Sequence, residues 1–449
     1  MSGDSEGTRV DEKNKREQIL VRSCQLPTAN LDPLKSVGFI GSNQGNLLYQ
    51  FSTHRALVRD DVDVRTISYG KFGKGPVEER AEWINSECDR LVLPLSSSFR
   101  LQNLKNLDAW ADLVERLTVP VTVVGIGAQL RLQDVRDGTF VPSRVTGIAA
   151  SAAEIAEHEA AARRFVAAVL DRSESIGVRG EISKKYLEYL GFPGDKIDII
   201  GCPSLFMWGP DFRMPEKGVR LGKRSKMSLS FDHRIASTAG LLDRTITEYP
   251  KSTVYMQETI GAKMIITGEE TRATWPGDPR FPVKKAHRAY REHRLEYYPT
   301  AWAWIRHMES YDYAFGPRLH GTVAATLAGT PAHLMVHDSR TLEVAQYHHL
   351  PHTLIEDMGP TASAAELASR QDYSAFNEAY RGNFDRFMAF LARNSLKSAY
   401  DAPGEALAAF DASLEAPARA VGVVSDKTPS VPVRRRLSLA VKALKGQIR

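Results

Sequence analysis

The stretch YDYAFGPRLHGTVAATLAGTPAHLMV, Tyr311–Val336, holds a complete folding unit. YDYAFG (311–316) is short and aromatic, GTVAATLAG has the small-residue composition of a helix packed tightly on a sheet, and AHLMV (332–336) is a second apolar run. Strand, helix and strand in that order read as a parallel β-α-β unit. Gly316 and Pro317 end the first strand and leave Arg318 and His320 at the junction. A helix starting near His320 would turn its unpaired N–H groups toward a ligand and form an anion site, to which Gly321 and Thr322 belong. Arg318 adds a forked, permanently charged donor suited to phosphate or carboxylate. A helix N-terminus favours neutral imidazole and a bound anion favours imidazolium, so His320 can take or give a proton near neutral pH. The plainer alternative is a capping histidine beside a surface arginine.

The same alternation runs outward from this unit in both directions. Upstream, SVGFIGS (36–42), DVRTISY (63–69), RLVLPLS (90–96), PVTVVGIG (120–127), SIGVRG (175–180) and IDIIG (197–201) read as strands, with helices between them at 104–117 and 180–191. After a Pro- and Gly-bearing linker (209–218), strands recur at 226–232, 252–257, 311–316 and 332–336, with a helix at 300–310. The pattern predicts an α/β protein of two Rossmann-like, doubly wound domains whose strand ends face a common cleft. The expected divisions are a polar N-terminal extension (1–34), a first domain (35–212), a second domain (213–360), C-terminal helices (361–412) and a basic tail (413–449). Residues 267–299, rich in Arg, His and Tyr, read as an insertion in the second domain, either a lid or acceptor-binding loop or a solvated excursion.

At 449 residues, 43% hydrophobic and 25% charged, the chain has the composition of a soluble globular protein. No apolar run approaches the ~18 to 20 residues that span a bilayer, and the first residues are polar, so no signal peptide is read and a cytoplasmic location is expected. Cys24, Cys88 and Cys202 are far apart and outside any CxxC pattern, which argues for inert buried thiols rather than a disulfide framework or zinc site. Most of the positive charge sits at the end: from Ala418 onward eight Lys and Arg face Asp426 alone. The body is therefore slightly acidic, with no basic surface that points to nucleic acid. In RRRLSLAVKALKGQIR (434–449), Leu437, Val441, Leu444 and Ile448 form one helical stripe with basic residues off it. Such a helix can lie on an anionic membrane, here the inner face of the plasma membrane, or dock on the body.

The first domain offers GFIGSNQGNLLYQF (38–51), a strand, a polar turn and a helix, in which Gly45 permits close backbone approach and Asn43 and Asn46 can bind a ligand or cap the helix. GIGAQ (125–129) puts Gln129 at a strand end, and VRGEIS (178–183) does the same for Arg179, which can reach the cleft or pair on the surface. GxGxxG after a strand, GxxxxGK[ST], HExxH and GxSxG are all absent. HHLPH (348–352) is read as closing a helix, and DDVDV (60–64) as leading into a strand, rather than as metal sites.

Taken together, GSNQGN, GIGAQ, VRGEISKKYLEYLG, GCPS and above all GPRLHGTVAATLAGTP followed by HDSRTLEVAQYHHLP resemble the polysaccharide pyruvyl transferase family, over residues 36 to 352. The resemblance implies a GT-B-like fold, phosphoenolpyruvate as donor substrate with no other cofactor and no metal ion, and a sugar within a glycan or glycolipid as acceptor. It implies Arg318 and His320 as catalytic, and Arg340 on the downstream Ser-Arg as donor-binding. Arg179, Arg234, Gly321 and Thr322 are further donor-binding candidates, and Asn43, Gly45, Asn46 and Gln129 are substrate-binding ones. The chain departs from the family pattern at Asn46, where Asp is expected, and at Cys202, where Gly-Asp-Pro is common. Any carboxylate the chemistry needs would then come from elsewhere. Two alternatives share the architecture: a glycosyltransferase using a nucleotide sugar, and a non-catalytic glycan- or phosphate-binding protein.

Overall fold

The computed structural model describes residues 16–23, 43–68, 72–138, 140–141, 150–216, 218–270, 278–414 and 421–422. The predicted strand at 36–42, and the basic tail (413–449) apart from residues 413–414 and 421–422, lie outside these residues.

The first domain is built on β1 (Glu17–Arg22), β2 (Val62–Ile67), β3 (Arg90–Pro94) and β4 (Val121–Val124), all parallel and ordered β2-β1-β3-β4. β5 (Ile176–Val178) and β6 (Ile197–Ile199) form a parallel pair. A bridge between Ile126 and Val178 joins it to the end of β4. The expected polar extension is corrected here, because residues 17–22 supply a central strand. Ile19, Leu20 and Val21 are fully buried. Their short run is apolar on both faces, as a central parallel strand requires, but it is hidden in sequence by the charged segment before it.

The second domain contains β7 (Met227–Leu229), β8 (Thr253–Tyr255), β9 (Leu295–Tyr297), β10 (Tyr313–Gly316), β11 (Ala332–Val336), β12 (His352–Leu354) and the two-residue β13 (Val421–Gly422). Their order is β12-β11-β10-β7-β8-β9-β13, parallel except for β13. Without β13 this is the doubly wound order in which the chain direction across the sheet reverses between β7 and β10. In the first sheet the reversal falls between β1 and β3. The reading of 267–299 as an insertion is also corrected: its last residues are β9. Arg294 just before it is buried, donating to the carbonyls of Ser252, Ile246 and Tyr249. A strand of only three residues, flanked by Arg and Tyr, carries little periodicity to read.

One continuous core crosses both domains. Helix Gly45–Leu57 is buried at every residue except Asn46, and it lies against helices Ala301–Met308 and Leu319–Leu327 of the second domain. Helix Ser374–Arg393 buries Phe376, Tyr380, Phe384, Phe387 and Phe390 along one face. The chain then returns to the first domain, where Asn394 accepts from Arg90 (3.0 Å) and donates to Ser175 Oγ (3.0 Å).

Candidate functional site

The loops after β7, β8, β10 and β11 converge at the switch point of the second sheet, where open α/β sheets bind ligands. Arg318 follows β10 and caps helix Leu319–Leu327, and its backbone N–H donates to Ser230 O (3.3 Å). Its side chain is buried rather than on the surface, and pairs with Glu258 (2.6 Å) and Asp232 (3.2 Å). Arg234 meets the same two carboxylates, at 2.6 Å and 2.8 Å. Burial opposes ionisation of Asp232, but Arg318 and Arg234 outweigh it and hold the carboxyl well below the usual range. The result is a compact lattice of two guanidinium groups on two carboxylates. A cavity of about 30 Å³ beside it, bordered by Phe231, Tyr255, Glu258 and Arg318, has room for a water.

His320, the second residue of the same helix, is buried. Gly45 sits flush on its ring, where a Cβ would strike Nδ1 and Cγ. Tyr49 presents an edge to the imidazole, and Cys202 Sγ lies 4.0 Å from Nε2. Burial, and then the charges of Arg179 and Arg340, push the imidazole pKa well below its ordinary value, so His320 is neutral here. Arg179 is also buried, which corrects the surface-pair reading. Its Nε donates to Gly125 O (3.0 Å) and its guanidinium lies 5.0 Å from the Tyr49 ring centre. Beyond it, Glu343 accepts from Ser183 N–H (2.9 Å) and Oγ–H (2.8 Å) in full burial, which pushes its pKa up to about 7 against those bonds and Arg179.

The third part of the site is the start of helix Ser339–His348. Asp338 caps it by accepting from Thr341 N–H (2.9 Å). It also meets Arg340 (3.2 Å) and Gln129 Nε2 (3.2 Å). Burial works against the ionised form of Asp338, yet Arg340, His337 and Thr341 hold it at about 2. Across the cleft, Arg100 follows β3 at the switch point of the first sheet. Its pKa is lowered to about 10 by burial and by the charges of Arg340 and Arg234.

The structure thus brings Arg318 together with Arg234, and His320 together with Gly45, Arg179 and Arg340, while Gln129 joins Arg340 through Asp338. Asn43 is occupied as a structural link, accepting from Gly45 N–H (2.7 Å) and Gln257 Nε2 (2.7 Å). Asn46 stands in the next position of the helix. Gly321 is held against Ser230, and Thr322 is almost wholly buried behind the junction. Sequence reasoning missed Asp232, Glu258, Asp338 and Arg100. Each lies within a few residues of the carboxyl end of a strand, and that position was the available signal. HHLPH does close a helix: His349 takes the left-handed conformation (φ 52°) after His348, whose Nε2 accepts from Cys202 N–H (2.8 Å). Cys88 and Cys202 are buried free thiols. Among the described residues no cluster of His, Cys, Asp and Glu is arranged to hold a metal ion, and no helix is long and apolar enough to cross a membrane.

Two parallel α/β sheets with facing switch points, and arginines around a buried neutral histidine between them, define a two-domain protein of GT-B-like architecture. The chain belongs to the polysaccharide pyruvyl transferase family, whose sequence profile matches residues 39–339. No curated protein matches it in sequence. Solved structures resemble it distantly. UDP-GlcNAc 2-epimerase of Methanocaldococcus jannaschii, in complex with UDP-GlcNAc and UDP, is 10% identical over 84% of this chain and 99% of that one (TM-score 0.41). The glycotransferase of kitacinnamycin is 12% identical over 89% and 100% (0.38). An uncharacterized protein from Klebsiella pneumoniae is 12% identical over 77% and 92% (0.36).

Proposed function

We propose that the protein moves the pyruvyl group of phosphoenolpyruvate onto two hydroxyls of one sugar in a glycan or glycolipid, releasing inorganic phosphate and leaving a cyclic ketal. The observation that carries this reading is the β10-to-helix junction, where Arg318 and a neutral, buried His320 stand side by side at the switch point in a chain of this family.

In the first step a proton goes to the methylene carbon of the donor, making it a methyl group, and one sugar hydroxyl adds to the adjacent carbon and loses its proton. The C–O bond to phosphate then breaks. The second hydroxyl attacks the resulting cation and loses its proton to the released phosphate, closing the ketal. A neutral imidazole cannot give the first proton. Burial and then Arg179 and Arg340 depress His320; the donor's negative charge, arriving among Arg179, Arg340 and Arg318, would counter both and raise its pKa toward the working range. His320 thereby becomes an acid only when donor is present, and once it has given its proton the neutral imidazole can accept the hydroxyl proton. Arg318 orients the donor carboxylate, exchanging part of its bonding to Asp232 and Glu258 for it.

The test is phosphate release from phosphoenolpyruvate, with melting-temperature shifts for phosphoenolpyruvate and UDP-sugars run separately. His320→Ala is expected to keep the donor-induced shift and lose turnover, and Arg318→Ala to lose the shift itself. Normal turnover by both variants would refute the site, and stabilisation by UDP-sugars alone would refute the donor.

A further inference from the structure

Resting on phosphoenolpyruvate as donor, we propose that Arg100, Arg340 and Arg234 form a phosphate cradle spanning both domains and take the phosphoryl end of the donor. The three side chains come from loops after β3, β11 and β7, and Arg100 is linked to Arg340 through the chain: Phe99 O beside it accepts from Gln129 N–H (3.0 Å), and Gln129 Nε2 donates to Asp338 (3.2 Å), the partner of Arg340. Arg234 is held by Asp232 and Glu258, and Arg340 by Asp338. Arg100 has no carboxylate partner among the described residues, and Nε of both Arg100 and Arg340 is buried without a hydrogen-bond partner there. Counting Arg318, four guanidinium groups share three carboxylates, Asp232, Glu258 and Asp338. Among the described residues Arg100 is left without a carboxylate, and its depressed pKa reflects burial and two like charges.

An anion would remove that repulsion and give both orphaned Nε–H groups an acceptor. A phosphoryl group suits the place better than a carboxylate, because its three peripheral oxygens can serve donors that approach from separate loops. Arg340 acts electrostatically on both Arg100 and His320. A phosphate in the cradle would therefore lie among charges that act on the imidazole, and the departing phosphate would remain among the same three cations. Because Arg100 belongs to the first domain and the others to the second, the donor would also tie the two domains together.

The test uses the full chain with phosphoenolpyruvate, inorganic phosphate and UDP, each in a separate melting experiment, and steady-state phosphate release. For Arg100→Ala the KM for phosphoenolpyruvate should rise about 10- to 100-fold, as loss of a charge-assisted contact implies, with a smaller change in kcat. Arg100→Lys should fall between the two. The ligand-free variant should melt no lower than wild type, since it loses a buried like charge. A lower ligand-free melting temperature with unchanged KM would make Arg100 merely structural and overturn the cradle. If the wild type ignores phosphoenolpyruvate, the donor reading fails by itself; UDP stabilisation that depends on Arg100 would then support the cradle with a diphosphate occupant. A wild type stabilised by none of the three overturns both.

Discussion

Replacing Glu343 by Gln tests whether a carboxyl group is held protonated in the wall of the site. Glu343 faces Arg179, and its ordinary pKa of 4.5 is pushed up to about 7 by full burial. Between these two values the folded protein binds a proton that the unfolded chain has released, so stability must fall as pH rises from about 4.5 through 7. The shift corresponds to about 3 kcal/mol, present as stability below pH 4.5 and lost above 7. Buried histidines act in the opposite direction. His348, lowered to about 3 by burial and by His349, costs stability as pH falls below 6.5, because the unfolded chain then takes up a proton that the folded one refuses. That contribution is common to both proteins and cancels in their difference. Glutamine keeps an acceptor for Ser183 N–H and can donate to Ser183 Oγ. Urea denaturation of the two proteins, followed by tryptophan fluorescence from pH 5 to 8, should show the wild type losing about 3 kcal/mol relative to Glu343→Gln. A difference that stays flat across this range would refute the protonated carboxyl.

Three further outcomes are expected. Gly45→Ala puts a methyl group onto the His320 ring, so turnover should fall sharply with a loss of ~1–3 kcal/mol in urea stability. Cys202→Asp places a carboxylate beside His320 Nε2 and should raise the pKa seen in the pH dependence of kcat/KM, whereas Cys202→Ser should leave the profile in place. Removing residues 434–449 should abolish flotation with vesicles rich in anionic lipid, while the same vesicles carry the full chain upward.

The parallel α/β organisation was legible because both sheets are buried on two faces and write near-continuous apolar runs, such as AHLMV, which the structure pairs over residues 332–336. Where the run was short the reading failed. QILV was lost behind DEKNKRE, and LEY within an Arg- and Tyr-rich segment became part of an insertion. For the site, a rare combination such as Pro-Arg-Leu-His between a strand and a small-residue helix stands out in one dimension. Asp232, Glu258 and Asp338 are ordinary acids after ordinary strands, and only folding brings them onto Arg318, Arg234 and Arg340. Arg100 carries no local signal at all beyond its place after β3, because its significance lies in which charges fail to meet it.

The two positions at which the resemblance leads to an expected acid, Asn46 and Cys202, lie on elements that both touch His320. Cys202 faces His320 Nε2, and the segment bearing Asn46 packs Gly45 onto the other side of the same ring. A carboxylate at position 202 would stabilise an imidazolium before any donor arrived. With a thiol there, burial first and then the charges of Arg179 and Arg340 hold His320 neutral. The acids of the site stand instead behind the arginines, with Asp232 and Glu258 on Arg318 and Arg234, and Asp338 on Arg340. They limit repulsion among the cations without neutralising the histidine's surroundings. In the proposed reaction, protonation of His320 would depend on the donor's own charge, which would couple the acid needed for the first step to the presence of the molecule that receives its proton.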